Sequence, residues 1–149
     1  MTLPPDIRRG TPADLQNLIG LLDSAGLPTT DLADIPHLDL WVMEIDDSLA
    51  GAIALERYGP EGLVRSLVVA PSLRNRGYGS QLADRLEADA VREGVQHLVL
   101  LTETADTFFR SRGYVPVDRS SVSPAVRQSA EFRSLCPDSA RCLYKHVGV

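Results

Sequence analysis

The sequence predicts a mixed α/β fold in a single domain spanning residues 1–149. Three apolar segments, 40–45, 49–58 and 63–70, are joined by turn signals at Asp46-Asp47 and Gly59-Pro60-Glu61-Gly62, which makes an antiparallel meander. The third segment ends in Leu67-Val68-Val69-Ala70, a continuous apolar run of the kind found in strands buried on both faces. An amphipathic stretch from Tyr78 to Arg92 then leads to a fourth apolar strand, 95–101. Strand, helix, strand implies a right-handed crossover and a parallel pair. The sum is a mixed sheet with helices on both faces.

The other elements follow in order. Asp6 to Arg9 reads as a short first strand. Thr11-Pro12-Ala13-Asp14 is a helix start, with Thr as N-cap, Pro in the first position and Asp in the first turn. Leu15, Leu18, Ile19 and Leu22 continue at helical spacing until Gly26 and Pro28, and 27–36 reads as a loop or short helix. Within 78–92, Tyr78, Leu82, Leu86 and Ala90 form one apolar stripe, and Gly94 stops the helix. Residues 105–112 predict a short helix ended by Gly113, 114–117 a short strand, and 142–147 a last strand. Arg127 and Glu131 stand four apart after Pro124, which predicts a helical ion pair worth a few tenths of a kcal/mol.

Composition narrows the function. The net charge is −5, with 8 basic against 16 acidic side chains in residues 1–104 and 7 against 4 in the rest. An acidic chain without a basic stripe is a poor nucleic-acid binder. No stretch approaches the ~20 apolar residues of a membrane span, and Met1 to Gly10 has no apolar core of a signal peptide, so a cytoplasmic protein is expected. Cys136 and Cys142 predict free thiols. His37, His97 and His146 are scattered, and no pair has zinc-ligand spacing, so no metal is expected. Trp41, on a predicted strand, reads as core.

The chemistry is concentrated in Val68-Val69-Ala70-Pro71-Ser72-Leu73-Arg74-Asn75-Arg76-Gly77-Tyr78-Gly79-Ser80. A buried strand enters a loop with two Arg and two Gly, and the loop opens directly into a helix. The first N–H groups of a helix lack internal partners, and its dipole is positive there, so such an end binds phosphate. Gly77 and Gly79 admit a ligand close to the backbone, and Arg74 and Arg76 can add charge-assisted bonds. This is a diphosphate site; the plainer reading is a surface turn with capping glycines. The Lys-Ser/Thr of a Walker loop and the third Gly of a dinucleotide fingerprint are both missing.

Arg74-x-x-Gly77-x-Gly79, with this order of elements along almost the whole chain, resembles the acyl-CoA signature of the GNAT superfamily of N-acetyltransferases. The resemblance implies that backbone N–H groups from about Arg76 to Ser80, with Tyr78 and Gly79 among them, hold the diphosphate of acetyl-CoA. It implies that Leu67 and Val69 bond the pantetheine arm, and that their strand splays from 95–101 to make the thioester slot. A narrower resemblance runs through Ile7-Arg8, Thr11-Pro12-Ala13-Asp14-Leu15 and Gly26-Leu27-Pro28-Thr29-x-Asp31-Leu32, then Val122-x-Pro124, Arg127 and Glu131-Phe132-x-x-Leu135-Cys136-Pro137-x-Ser139-Ala140. These look like the small acetyltransferases grouped with arsenic resistance, which implies a small amino acid or an amino-acid-like toxin such as arsinothricin as acceptor.

Acetyl transfer from a thioester to an amine needs a base for the amine, a donor for the oxyanion and a proton for the thiolate. In the family a Tyr after the fourth strand supplies that proton. The matching position here is Phe109, which has none to give, and Tyr144, Thr102 or water are the substitutes. Glu56 leads as base, before Glu103 and Glu44. Arg8, Arg57 and Arg65 are cations for a substrate carboxylate, with Arg8 and Arg65 preferred. Arg65 interrupts the run Leu63-Val64-Arg65-Ser66-Leu67, so pairing with Glu56 across the hairpin competes with substrate binding. The resemblance implies that the loop 27–31 covers the acceptor side; on the residues alone it reads as an ordinary connection between helices, and Cys136 reads as a packed thiol. The expectation is direct transfer from acetyl-CoA to a small-molecule amine, with a homodimer possible by analogy. The alternatives are a non-catalytic acyl-CoA sensor and a protein or peptide acetyltransferase.

Overall fold

A computed structural model describes residues 5–35 and 38–148. The expectations for residues 1–4 and for His37 lie outside them. The chain opens with β1 (Asp6–Arg9) and α1 (Pro12–Ser24). The Asp14 carboxylate accepts the Thr11 backbone N–H at 2.7 Å, closing the predicted helix start. The meander is β2 (Leu38–Ile45), β3 (Ser48–Tyr58) and β4 (Glu61–Val69). Helix α2 (Tyr78–Arg92) crosses over to β5 (His97–Thr102). Then come α3 (Asp106–Ser111), β6 (Val115–Pro116), α4 (Pro124–Arg127) and β7 (Arg141–His146). The sheet order is β1-β2-β3-β4-β5-β7-β6. It is the predicted mixed sheet: antiparallel neighbours plus one parallel pair, β4 with β5. No helix among the described residues is long and apolar enough to cross a membrane.

Alternation along the strands feeds two faces. On one, Trp41, Met43, Ile53 and Leu55 pack with Leu82 and Leu86 of α2. Trp41 Nε1 donates to the buried Asp89 at 2.7 Å, which ties α2 to β2 as well as burying the indole. On the other face Leu18 and Leu22 of α1 cover Leu40, Val42, Ala52 and Ala54. Beside them a smaller cluster joins Leu63, Val99, Val126 and Cys142 beneath α4.

Two irregularities shape the site. Ala54 faces Arg65 but Ala52 faces Val68, so β4 carries one residue more than β3 over this stretch, and Ser66 takes up the bulge at φ 61°. The parallel pairing of β4 and β5 is confined to Glu61–Leu63 against His97–Val99. Beyond Leu63 the two strands part, as the resemblance implied.

The expected helical pair of Arg127 and Glu131 is corrected by the structure. Helix α4 stops at Arg127, and Glu131–Leu135 forms a separate π-type turn. Helical spacing therefore does not apply, and Glu131 points inward to Arg65 instead.

Candidate functional site

The Arg/Gly loop lies at the mouth of a cleft of about 510 Å³. Gly77 is the N-cap of α2 with φ 80°, and Asn75 is also left-handed at φ 65°. A Cβ at Gly77 would meet no atom within 4 Å, so the demand for glycine here comes from the backbone. The first helical bond runs from Gln81 N–H to the Gly77 carbonyl, which leaves the N–H groups of Tyr78, Gly79 and Ser80 ahead of it. Leu67, Val69, Arg74, Gly77, Tyr78, Gly79 and Ser80 all line the cleft. Arg76, expected with them, is exposed and is not among the lining residues. Arg74 Nε donates to the Val69 carbonyl at 3.2 Å, holding the loop onto the end of β4. These residues fit the diphosphate and arm of a CoA thioester: an anion-binding helix end, a cation beside it, and a splayed strand whose groups on one side have no β5 partner.

The cleft continues inward. A narrow slot of about 80 Å³ lies between Val64–Leu67 on β4 and Leu100–Thr102 on β5, and shares Leu67, Thr104 and Ala105 with the cleft. It shares Leu27, Arg65, Ser66 and Thr102 with a pocket of about 150 Å³ behind it. Leu27 and Pro28, from the 27–31 loop, wall that pocket. Arg65, Glu103 and Glu131 are its charged lining.

Arg65 is the electrostatic centre of this region, and its side chain is fully buried. Nη1 donates to Asp31 at 2.6 Å and to Glu56 at 2.9 Å; Nη2 donates to Asp31 at 2.9 Å and to the Pro28 carbonyl at 3.2 Å. Nε donates to Ser66 Oγ at 3.2 Å and lies 3.4 Å from a Glu131 oxygen. Burial opposes the charge of Arg65, but Asp31, Glu131 and Glu56 prevail and hold its pKa above the ordinary value. With all five donors engaged, nothing is left for a substrate carboxylate, which corrects the expected substrate role.

Glu56, the expected base, is also committed. It is 3 % exposed, accepts from Arg65 and from the Tyr58 hydroxyl (2.5 Å), and lines neither the slot nor the pocket. Burial and Glu56 together raise the Tyr58 pKa, so that hydroxyl stays protonated. Arg8 sits at the β1–α1 corner, paired with Asp14 at 2.9 Å and Glu44 at 2.6 Å, away from the cleft; this corrects its expected substrate role and removes Glu44 as a base. Arg57 pairs with Asp39 at 2.6 Å through atoms that are themselves buried. Glu103 is exposed at the pocket rim and accepts from Ser139 Oγ at 3.2 Å.

Phe109 lines the slot and is 4 % exposed, edge-to-face with Tyr114. Burial and Glu87 raise the pKa of Tyr114, whose hydroxyl donates to Glu87 at 3.0 Å. Tyr144 pairs with Val99 at the far end of β5, its hydroxyl 2.6 Å from His97 Nδ1, and lines a separate cleft there. Thr102 is the expected donor that does stand at the slot, its Oγ1 accepting the Ala105 N–H at 2.9 Å. Cys136 lines the pocket with its thiol pushed up to about 12 by burial and by Glu131, so it is a packed thiol and not a nucleophile. Among the described residues no group of three His, Cys, Asp or Glu side chains could hold a metal.

Sequence reasoning placed the 27–31 loop on this side without naming Asp31 as a partner of Arg65, and it missed Ser66 and Glu131. The available signal was Arg65 itself: a charge in a buried strand requires carboxylates, and more than one side chain could answer.

The fold and the cleft define a class, and comparison with known proteins agrees. The acetyltransferase (GNAT) family model matches residues 17–114, and the chain belongs to that family. An uncharacterized N-acetyltransferase of Chlorobaculum tepidum is 31% identical over 110 residues, 72% of this chain and 68% of that protein. An amino-acid acetyltransferase of Ralstonia nicotianae is 36% identical over 76 residues, which is 50% of this chain but 17% of that protein. Matches to the amino-acid acetyltransferases cover 16–30% of their length. N-acetylglutamate synthase from Neisseria gonorrhoeae, solved with coenzyme A and N-acetyl-glutamate, superposes with a TM-score of 0.80 at 19% identity, covering 97% of this chain and 35% of that one.

Proposed function

We propose that this protein is an acetyl-CoA-dependent N-acetyltransferase acting on the primary amine of a small molecule. One observation carries the reading: an anion-binding helix end opens onto a cleft that runs through the β4–β5 slot into a small acidic pocket. The diphosphate rests on the N–H groups at the start of α2 beside Arg74. The thioester carbonyl lies in the slot, and the amine enters from the pocket. The amine nitrogen bonds to the carbonyl carbon, the C–S bond breaks, and the sulfur leaves with a proton. Placing both reactants in one channel supplies much of the acceleration, of order 7 kcal/mol or more in favourable systems. Direct transfer is the mechanism we favour, supported by Cys136, the thiol lining the pocket, which burial and Glu131 push above the ordinary cysteine range. Thr102 or water protonates the thiolate.

The acceptor class that the sequence favours is an amino acid or an amino-acid-like toxin, supported by the amino-acid acetyltransferases among the relatives. A second reading has a specific observation behind it. The pocket lining holds two carboxylates and one Arg whose donors are all engaged. That favours an amine with no carboxylate beside it, because a substrate carboxylate finds no unengaged cation in the lining. Calorimetric titration with acetyl-CoA, then a screen of amino acids against simple alkylamines by product mass, tests both. One-site saturable binding is expected; its absence in folded protein overturns the proposal. Binding without turnover of any amine leaves a sensor, the reading Phe109 supports. Turnover of peptides but not small amines gives the protein-directed alternative.

A further inference from the structure

Glu131 is a buried acid whose charge is only partly compensated. The residue is 3 % exposed, and its Oε1 has no hydrogen-bond partner among the described residues. Its other oxygen is 3.4 Å from Arg65 Nε, which is already bonded to Ser66. The guanidinium meets Asp31 and Glu56 more closely, at 2.6 and 2.9 Å. One cation therefore faces two buried carboxylates and the half-buried Asp31, and Glu131 is the least compensated. An unpaired buried carboxylate is expensive to keep. It lines the pocket that opens into the thioester slot through Arg65, Ser66 and Thr102.

We propose that Glu131 is the group that receives the acceptor's ammonium ion and takes its proton. The inference rests on the acetyltransferase reading above. The substrate cation supplies the second positive charge that the cluster lacks. One N–H⁺ proton passes to the free Oε1, leaving neutral amine and protonated Glu131. The amine then attacks the thioester carbonyl, and the proton it still sheds goes to the departing sulfur. Glu131 returns its proton to solvent, so each turnover releases one proton, one CoA thiol and one amide. Glu56, Asp31 and Tyr58 stand behind Arg65 and do not line the pocket; Cys136 and Glu103 face it with Glu131. Burial, together with Glu56 and Asp31, outweighs Arg65 and pushes the Glu131 carboxyl up to about 7, suited to trading a proton at neutral pH.

The first test is independent of any turnover. In the full chain carrying carbon-13 at Glu carboxyls, the resonance absent from Glu131→Gln is followed against pH, with propylammonium chloride or sodium chloride at equal ionic strength. The expected midpoint is near neutrality, and propylammonium moves it downward. A midpoint in the ordinary Glu range, or one indifferent to propylammonium, overturns the proposal even if acetyl-CoA binds. With any amine that turns over, Glu131→Gln is expected to lower kcat by about a hundredfold or more and to abolish the acidic limb of the profile. Glu131→Asp should restore part of both. Wild-type rate and profile in Glu131→Gln overturn the proposal while leaving the acetyltransferase reading intact. Calorimetric acetyl-CoA affinity is expected to be unchanged in both variants.

Discussion

The Arg65 guanidinium holds Asp31 through two parallel hydrogen bonds, 2.6 and 2.9 Å, across 34 residues of sequence. That fork fixes the loop after α1 over the bulged part of β4, and with it one wall of the pocket beside Arg65. The same guanidinium reaches Glu56 of β3 and Glu131 of the C-terminal segment. Three distant segments thus meet on one buried side chain.

Removing that side chain should leave three carboxylates without their cation. Arg65→Ala is expected to destabilise the fold by about 3–5 kcal/mol, the usual consequence of breaking a buried ion pair. Arg65→Lys should recover little, because an ammonium cannot make the bidentate bond to Asp31. Urea unfolding at neutral pH measures both. Full stability in Arg65→Ala would show that the cluster is dispensable.

The helix end can be tested without disturbing the core. A Cβ at Gly77 meets nothing within 4 Å, so a side chain there strains the backbone at φ 80° but clashes with no neighbour. Arg74→Ala with Gly77→Glu places a negative charge where a diphosphate would lie and removes the adjacent cation. Losing charge-assisted bonds worth about 1.5–3 kcal/mol each should weaken acetyl-CoA binding at least about a hundredfold. Calorimetry with a circular-dichroism check of the fold decides it. Unchanged affinity would leave the loop as an ordinary surface turn.

Cys136 gives a reagent-based check on the pocket. With its thiol pushed up to about 12, the thiolate fraction at pH 8 is roughly a thousandfold below that of a free cysteine. Iodoacetamide should therefore modify the native protein very slowly, as read by intact mass. In Glu131→Gln one of the charges that hold the thiol protonated is gone, and alkylation should accelerate. Rapid alkylation of the native wild type would contradict the burial of this site.

Much of the fold was legible because its signals are local. Apolar strand segments, the Gly59-Pro60 turn and the Thr11-Pro12 helix start each state their own element, and α2 runs over the same Tyr78–Arg92 that its apolar stripe marked. The Arg/Gly loop opening into α2 was legible for the same reason: strand, loop and helix start are contiguous. The pocket around Arg65 was not, because it is made by long-range pairing. Arg65 announced that it needed a partner, and Glu56 two strand positions off its register was in reach. Asp31 and Glu131 belong to segments whose approach no local pattern states. The four-residue spacing of Arg127 and Glu131 misleads, because spacing on a helix means nothing once the helix stops at Arg127. The bulge at Ser66 likewise left no mark in the sequence, since serine seldom adopts φ 61°.

The raised carboxyl of Glu131 also makes a stability prediction whose sign is fixed. Its folded pKa of about 7 lies above the ordinary Glu value, so between those two values the native protein holds a proton that the unfolded chain has released. Stability contributed by this group is therefore full below the unfolded value, falls as pH rises toward 7, and stays low above it. The loss is at most about 3 kcal/mol, since raising a carboxyl's pKa by one costs its ionised form about 1.4 kcal/mol. Glutamine carries no titrating proton, so the difference in unfolding free energy between wild type and Glu131→Gln isolates this group from every other one. Relative to the variant, wild type should lose stability between about pH 5 and pH 7 and then level off. Urea denaturation of both proteins at half-unit intervals from about pH 4.5 to 8 would show it. A difference that is flat with pH, or one that grows in favour of wild type as pH rises, would mean that Glu131 is an ordinary ionised partner of Arg65 and holds no proton to exchange.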